Sequence, residues 1–78
     1  MELRQLRYFV GISEAGSLLR ASRTLHVAQP ALSQQIASLE SELGAKLFDR
    51  SSRGMVLTDS GKHFLEHARV RLADVERA

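Results

Sequence analysis

Apolar residues recur at helical spacing in four stretches, and residues that stop or start helices fall between them. Leu3, Leu6, Phe9 and Val10 share one face of a helix over residues 3–15, while Tyr8 and Ile12, four apart, make a second apolar stripe. A helix with two apolar faces is packed from two directions. Gly16 suits its left-handed cap, and Ser17 suits the start of the next helix. Residues 18–25 then read as a short helix with Leu18, Ala21, Ser22 and Leu25 on its inner side. After His26, Val27 and Ala28, a third helix runs over residues 29–43. Its first turn holds Pro30, the only proline, where a missing N–H removes no hydrogen bond. Leu32, Ile36, Leu39 and Leu43 form its narrow inner stripe, and Gly44 stops it.

Residues 47–57 change character. Two short apolar arms, Leu47-Phe48-Asp49-Arg50 and Met55-Val56-Leu57, flank Ser51-Ser52-Arg53-Gly54, which predicts a small hairpin with a polar tip. Thr58 or Asp59 caps a last helix, on which Phe64, Leu65, Ala68, Leu72 and Val75 keep helical spacing. Inside so small a fold that stripe has nothing obvious left to pack on. The expectation is that this helix continues in a longer protein or pairs with a second copy.

With 78 residues there is room for one small domain. Its 44% apolar and 26% charged residues describe an ordinary globular composition, not a disordered tail. The absence of cysteine excludes a disulfide framework and thiolate metal sites. No apolar run is long enough to span a membrane, and no apolar signal core begins the chain, so a cytoplasmic location is expected. The net charge of +2 says little about partners, but arginine supplies 9 of the 11 cations and favours bidentate contact with phosphates and guanines. Arg20, Arg23, Lys46, Arg50 and Arg53 occupy the middle of the chain, where acids are fewer.

A short helix, a tight turn and a longer helix are the parts of a helix-turn-helix, whose second helix enters the major groove by its N-terminal residues. Turning the Leu32/Ile36/Leu39/Leu43 stripe inward sends Pro30, Gln34, Ala37 and Ser41 outward, with Ser33 at the flank. Gln29 and Gln34 can pair bidentately with adenine, and Ser33 can reach a phosphate or a base edge. Small residues at 37 and 41 allow close approach. Singly, exposed Gln and Ser are commonplace. The hairpin that follows is more telling: an Arg53 at the tip of such a wing suits a narrow minor groove.

The run Leu3 to Tyr8-Phe9-Val10, the Gly16-Ser17 junction and Leu25-His26-Val27-Ala28-Gln29-Pro30-Ala31-Leu32-Ser33-Gln34-Gln35-Ile36 resemble the N-terminal DNA-binding domain of LysR-type transcriptional regulators. So do Leu39-Glu40, Glu42-Leu43-Gly44, Leu47-Phe48-Asp49-Arg50, and Leu57-Thr58 with Gly61. Val27 to Gln35 is similar to the branch that contains the nitrogen assimilation control protein. The resemblance covers essentially the whole chain. It implies a mainly α fold over residues 1–58, a winged helix-turn-helix of three helices plus a β-hairpin wing. The helix-turn-helix would span about residues 18–37 and the wing about residues 47–57. Residues 59–78 would begin a long linker helix that makes a homodimer through Phe64, Leu65, Ala68, Leu72 and Val75. The family's effector-binding α/β domain is absent from this chain, so a small-molecule effector and a higher oligomer would belong to the full-length protein.

The resemblance further implies sequence-specific binding to double-stranded operator or promoter DNA on an interrupted inverted repeat, on the bacterial nucleoid. The DNA contacts would be Gln29, Pro30 and Ser33 in the major groove, Arg53 at the wing, and Gln34 and Arg50. Arg50 either touches the DNA backbone or pairs with a carboxylate such as Asp49 or Glu42. Two residues depart from the family pattern. Ala28 stands where most members have serine, which removes a cap bond worth roughly 1 kcal/mol. Gln34 stands where most have a cation, which weakens phosphate or guanine contact and shifts preference toward adenine.

Two other readings compete. His63-Phe64-Leu65-Glu66-His67 matches the H-x-x-E-H zinc motif, with Glu66 beside the pair as a base. A third protein ligand is missing, only 11 residues follow His67, and 78 residues build no large cleft. Solvated histidines on a helix are the better reading; no enzyme, cofactor or metal is expected. His26 likewise reads as an ordinary turn histidine. The other alternative is a helical interaction module that dimerises through its last helix and never touches DNA; the wing and the small-residue helix face argue against it.

Overall fold

The structure, a computed structural model, describes residues 1–51 and 54–77. Among the described residues the order is α1 (Leu3–Ala15), α2 (Leu18–Leu25), α3 (Gln29–Leu43), β1 (Phe48–Ser51), β2 (Gly54–Leu57) and α4 (Asp59–Arg77). The helices begin and end where the stop signals predict. Ser17 Oγ accepts the Arg20 N–H at 3.0 Å and caps α2. Thr58, rather than Asp59, caps α4: its Oγ1 accepts the Gly61 N–H at 2.9 Å and donates to the Lys46 carbonyl at 2.5 Å.

Helix α1 is the hub, packed against α2, α3, α4 and β2. Leu6, Phe9 and Ile12 are buried on it in a single stripe, with Tyr8 and Val10 half-buried on either side. Ile12 therefore belongs with Leu6 and Phe9, not with Tyr8 as the spacing of four suggested. Phe9 joins three elements, its ring centroid lying 5.3 Å from both Phe48 and Phe64. Leu32, Ile36 and Leu39 of α3, Ala21 of α2, and Leu47, Phe48 and Met55 of the hairpin region complete the core.

The α4 stripe is a correction to the sequence reading. It does find a partner within the chain, because the hub helix turns one side toward it. Ala68 is wholly buried, and Phe64, Leu65 and Leu72 pack against the same core. Val75, by contrast, is 47% exposed, as is Val70 at 60%.

The hairpin is antiparallel, pairing Phe48 with Leu57, Asp49 with Val56, Arg50 with Met55 and Ser51 with Gly54. It is seated on the helices. The Met55 N–H donates to the Gly16 carbonyl at 3.1 Å, where α1 turns into α2. Glu40 of α3 holds the other arm, its Oε2 accepting the Leu47 N–H at 2.7 Å and the Phe48 N–H at 3.3 Å. Two backbone donors are satisfied by one carboxylate, and hydrogen bonds to a charged group are worth about 1.5–3 kcal/mol each. Glu40→Ala should therefore lower stability by about 2 kcal/mol in urea denaturation, and Glu40→Gln, which keeps one acceptor oxygen, by less. Equal stability of wild type and Glu40→Ala would contradict this role.

Candidate nucleic-acid interface

The turn between α2 and α3 is made by His26 in the left-handed region (φ 58°), where it caps α2, its N–H donating to the Ser22 carbonyl. Histidine is among the non-glycine residues that accept this conformation, so a three-residue turn is possible without glycine. Val27 packs against the core and holds the turn down. Ala28 is the N-cap of α3 and makes no side-chain cap bond, so the first N–H groups of α3 face outward with the helix's positive end.

Gln29, Pro30, Gln34, Ala37 and Ser41 are exposed along α3, and Ser33 is half-buried at the edge of that face. A buried amide contact opposes it: Gln5 Nε2 donates to Gln35 Oε1 at 3.2 Å, and Gln5 is only 6% exposed. The buried stripe of Leu32, Ile36 and Leu39 sets the rotation of α3 about its own axis, and this bond adds a polar tie to α1. The sequence reading missed the pair. Its signal was an amide at position 5 inside an apolar stripe.

Within the chain Arg50 pairs with neither of the carboxylates proposed for it, Asp49 or Glu42. On an antiparallel pair, residues two apart lie on one side, so Arg50 shares the side of Phe48 and of its cross-strand partner Met55. Phe48 and Met55 enter the core on that side, while Arg50, nearer the tip, stays exposed and reaches α3. Its Nη2 donates to Ser33 Oγ. Asp49 is not its partner, being on the other side of the strand. Glu42 is not either, because its carboxylate binds the Met1 ammonium at 2.7 Å. Arg53 lies outside the described residues.

Both carboxylates of α3 are thus engaged at its C-terminal end, Glu40 with the hairpin and with Lys46 at 3.9 Å, and Glu42 with Met1. The N-terminal half of the exposed face is left uncharged, with exposed Arg20 and Arg23 on the neighbouring α2 and Arg50 on β1. An amide-bearing surface bordered by guanidinium groups suits a polyanion with hydrogen-bonding edges.

His63, Glu66 and His67 are exposed on α4. Among the described residues no group of three or more His, Cys, Asp or Glu is placed to hold a metal ion. No helix among them is long and apolar enough to cross a membrane.

Residues 3–62 match the family described as "Bacterial regulatory helix-turn-helix protein, lysR family". The HTH-type transcriptional regulator TfdT of Cupriavidus pinatubonensis is 51% identical over all 78 residues, which cover 34% of its length. The nitrogen assimilation regulatory protein nac of Escherichia coli is also 51% identical over the whole chain, which covers 26% of it. The chain therefore spans about a third or less of these regulators. Among solved structures, the CbnR DNA-binding domain in complex with DNA superposes with a TM-score of 0.95 at 47% identity, covering 99% of this chain and 88% of that one. The BenM DNA-binding domain bound to benA site 1 DNA gives 0.94 at 45% identity, covering 99% and 90%. TfdT and nac are both named as regulators. From residue 3 to residue 62, in fold and in sequence, the chain belongs to the lysR family of bacterial regulatory helix-turn-helix proteins.

Proposed function

We infer that this chain is the DNA-binding part of a transcriptional regulator that reads double-stranded operator DNA through the N-terminal half of α3. One observation carries this reading: Gln29, Pro30 and Gln34 are exposed on the uncharged N-terminal half of α3, and Arg50 is brought onto that helix at Ser33. In the major groove Gln29 and Gln34 would address adenine edges, Pro30 and Ala37 would permit close approach, and Ser33 would meet a base edge or phosphate. Arg53 is proposed, on the family resemblance, to approach the adjacent minor groove.

The regulator acts as a homodimer on an interrupted inverted repeat, with protein and operator sharing a two-fold axis. Exposed Val75 of α4, with the uncovered edges of Phe64, Leu65 and Leu72 on the same side of the helix, is available for that pairing. Wholly buried Ala68 contributes to the chain's own core and not to a partner. The place of action is the cytoplasm, on the nucleoid. A small-molecule effector would be bound by a further domain of the full-length regulator.

Fluorescence anisotropy on a palindromic duplex and a scrambled duplex, at several salt concentrations, tests the reading. The palindrome should bind more tightly, with a steep salt dependence. Gln29→Ala should lose about 1–3 kcal/mol at one base position, and Arg53→Ala should weaken both duplexes and reduce the salt slope by about 1. Equal binding of both duplexes would leave a phosphate-holding domain that reads no bases. No binding to either at low salt would favour the interaction module instead.

A further inference from the structure

Between Gln29 and Leu43 the chain has no Lys or Arg and two acids. No side chain of that helix attracts phosphate by its charge, so beyond the helix's own positive end its cations have to be delivered from other elements. The hairpin delivers one directly onto the reading face, through the Arg50 to Ser33 hydrogen bond.

That bond also fixes what Ser33 can do. A hydroxyl has one hydrogen and two lone pairs, whereas a guanidinium only donates. Ser13 and Ser22 spend their hydrogens on their own helices, donating to the Val10 carbonyl at 3.0 Å and the Leu19 carbonyl at 2.7 Å. Ser33 accepts from Arg50 instead, and among the described residues its hydrogen goes to no helix carbonyl. A hydroxyl that accepts from a guanidinium directs its hydrogen away from it, and its second lone pair stays free to accept.

We propose that Arg50 and Ser33, joined across β1 and α3, act as one unit in which the guanidinium selects guanine within each half-site. Guanine offers two adjacent acceptors, N7 and O6, in the major groove. Thymine offers one acceptor, O4, adenine one acceptor beside an amino donor, and cytosine an amino donor, so two parallel guanidinium N–H groups are matched by guanine alone. Arg50 is the specificity-determining residue, and Ser33 is set by it. The uncharged Gln34 of the same face leaves this choice to Arg50. The proposal rests on the groove reading above.

The test is selection of binding sites from a random-sequence duplex pool by wild type, Ser33→Ala, Arg50→Ala and Arg50→Lys, followed by anisotropy on the enriched and scrambled duplexes. Both positions are at the surface, so thermal unfolding close to that of wild type is the folding check. Wild type should enrich one guanine per half-site, and Ser33→Ala and Arg50→Ala should both lose that guanine while keeping the other preferred positions. Each should bind the enriched duplex about tenfold more weakly. The double variant should be no worse than the weaker single, because the pair acts as a unit. Arg50→Lys, which keeps the charge without the planar fork, should retain the salt slope and lose the guanine. Additive losses, or an Arg50→Ala that weakens enriched and scrambled duplexes alike, would make Arg50 a plain phosphate contact and overturn the proposal alone. Failure of wild type to enrich any site would overturn the groove reading and this proposal with it.

Discussion

Phe9→Ala should lower the unfolding free energy by about 3–5 kcal/mol in urea or thermal denaturation. A small domain has only about 5–15 kcal/mol in total, so most of its margin is at stake. At about 4–8 °C per kcal/mol for a domain of this size, Tm should fall by at least about 12 °C. Phe9 is wholly buried and meets one ring from β1 and one from α4, so its removal opens a cavity where three elements converge. Phe48 and Phe64 are anchored on separate elements and cannot both close on the gap. Phe9→Leu, which keeps most of the apolar volume, should lose less. A loss under about 1 kcal/mol for Phe9→Ala would mean that α1 is not the hub.

Gly61→Ala should also destabilise, by about 2 kcal/mol or more in the same measurement. The sign is the informative part. Helix propensity alone favours Ala over Gly by about 1 kcal/mol inside a helix, so an isolated α4 would gain. In the folded chain a Cβ at position 61 would stand 2.1 Å from the Leu47 carbonyl oxygen. That obstacle is backbone, so no rotamer change relieves it; α4 has to move away from the strand entry, straining the Thr58 bridge to Lys46. Gly11→Ala is the natural control, since its Cβ would meet side-chain atoms of Leu25 alone and no backbone, with Cδ1 nearest at 2.9 Å. Side-chain tips can turn aside, and Gly11→Ala should be far milder. A stabilised Gly61→Ala would show that α4 does not approach the hairpin this closely.

The helix limits were legible in the sequence because they depend on local chemistry. Gly16, Ser17, Pro30, Gly44 and Thr58 act within one turn of where they stand, and no tertiary knowledge is needed to place them. The inner stripe of α3 was legible for the same reason. The packing of α4 was not: the spacing of Phe64, Leu65, Ala68 and Leu72 shows that a face is apolar, but not which surface covers it. The cover is α1, forty residues and more away in sequence, whose buried stripe the spacing of Tyr8 and Ile12 misdescribed.

The candidate site divides along the same line. Exposure of Pro30 and Gln34 follows from one helical period, whereas Gln29 shares the period of the inner stripe and is exposed as the first residue of the helix. Contact between Arg50 and Ser33 follows only from strand register combined with the seating of the hairpin on α3, and neither is written in nearby residues. Glu40 looked like one more acid on a helix. Its contact with Leu47 and Phe48 N–H groups depends on the chain turning back after Gly44. Gln5 and Gln35 are thirty positions apart, and nothing short of the fold brings them together.

The seating of the hairpin bears on how a duplex would be read. Gly16 holds the start of β2, Glu40 holds the start of β1, and the Thr58 hydroxyl joins the cap of α4 to Lys46 just before β1. At Gly54 a Cβ would fall 2.4 Å from the Gly16 carbonyl oxygen, so the strand lies hard against the helical corner. Strands held this way do not swing to suit a groove. The interval from the face of α3 to the hairpin works as a rigid caliper. A duplex whose grooves depart from that interval has to bend or narrow to fit, and the work of doing so depends on base steps that no side chain touches. Discrimination by this domain would then extend to sequence lying between its contacts, set by the stiffness of the DNA instead of by any donor or acceptor on the protein.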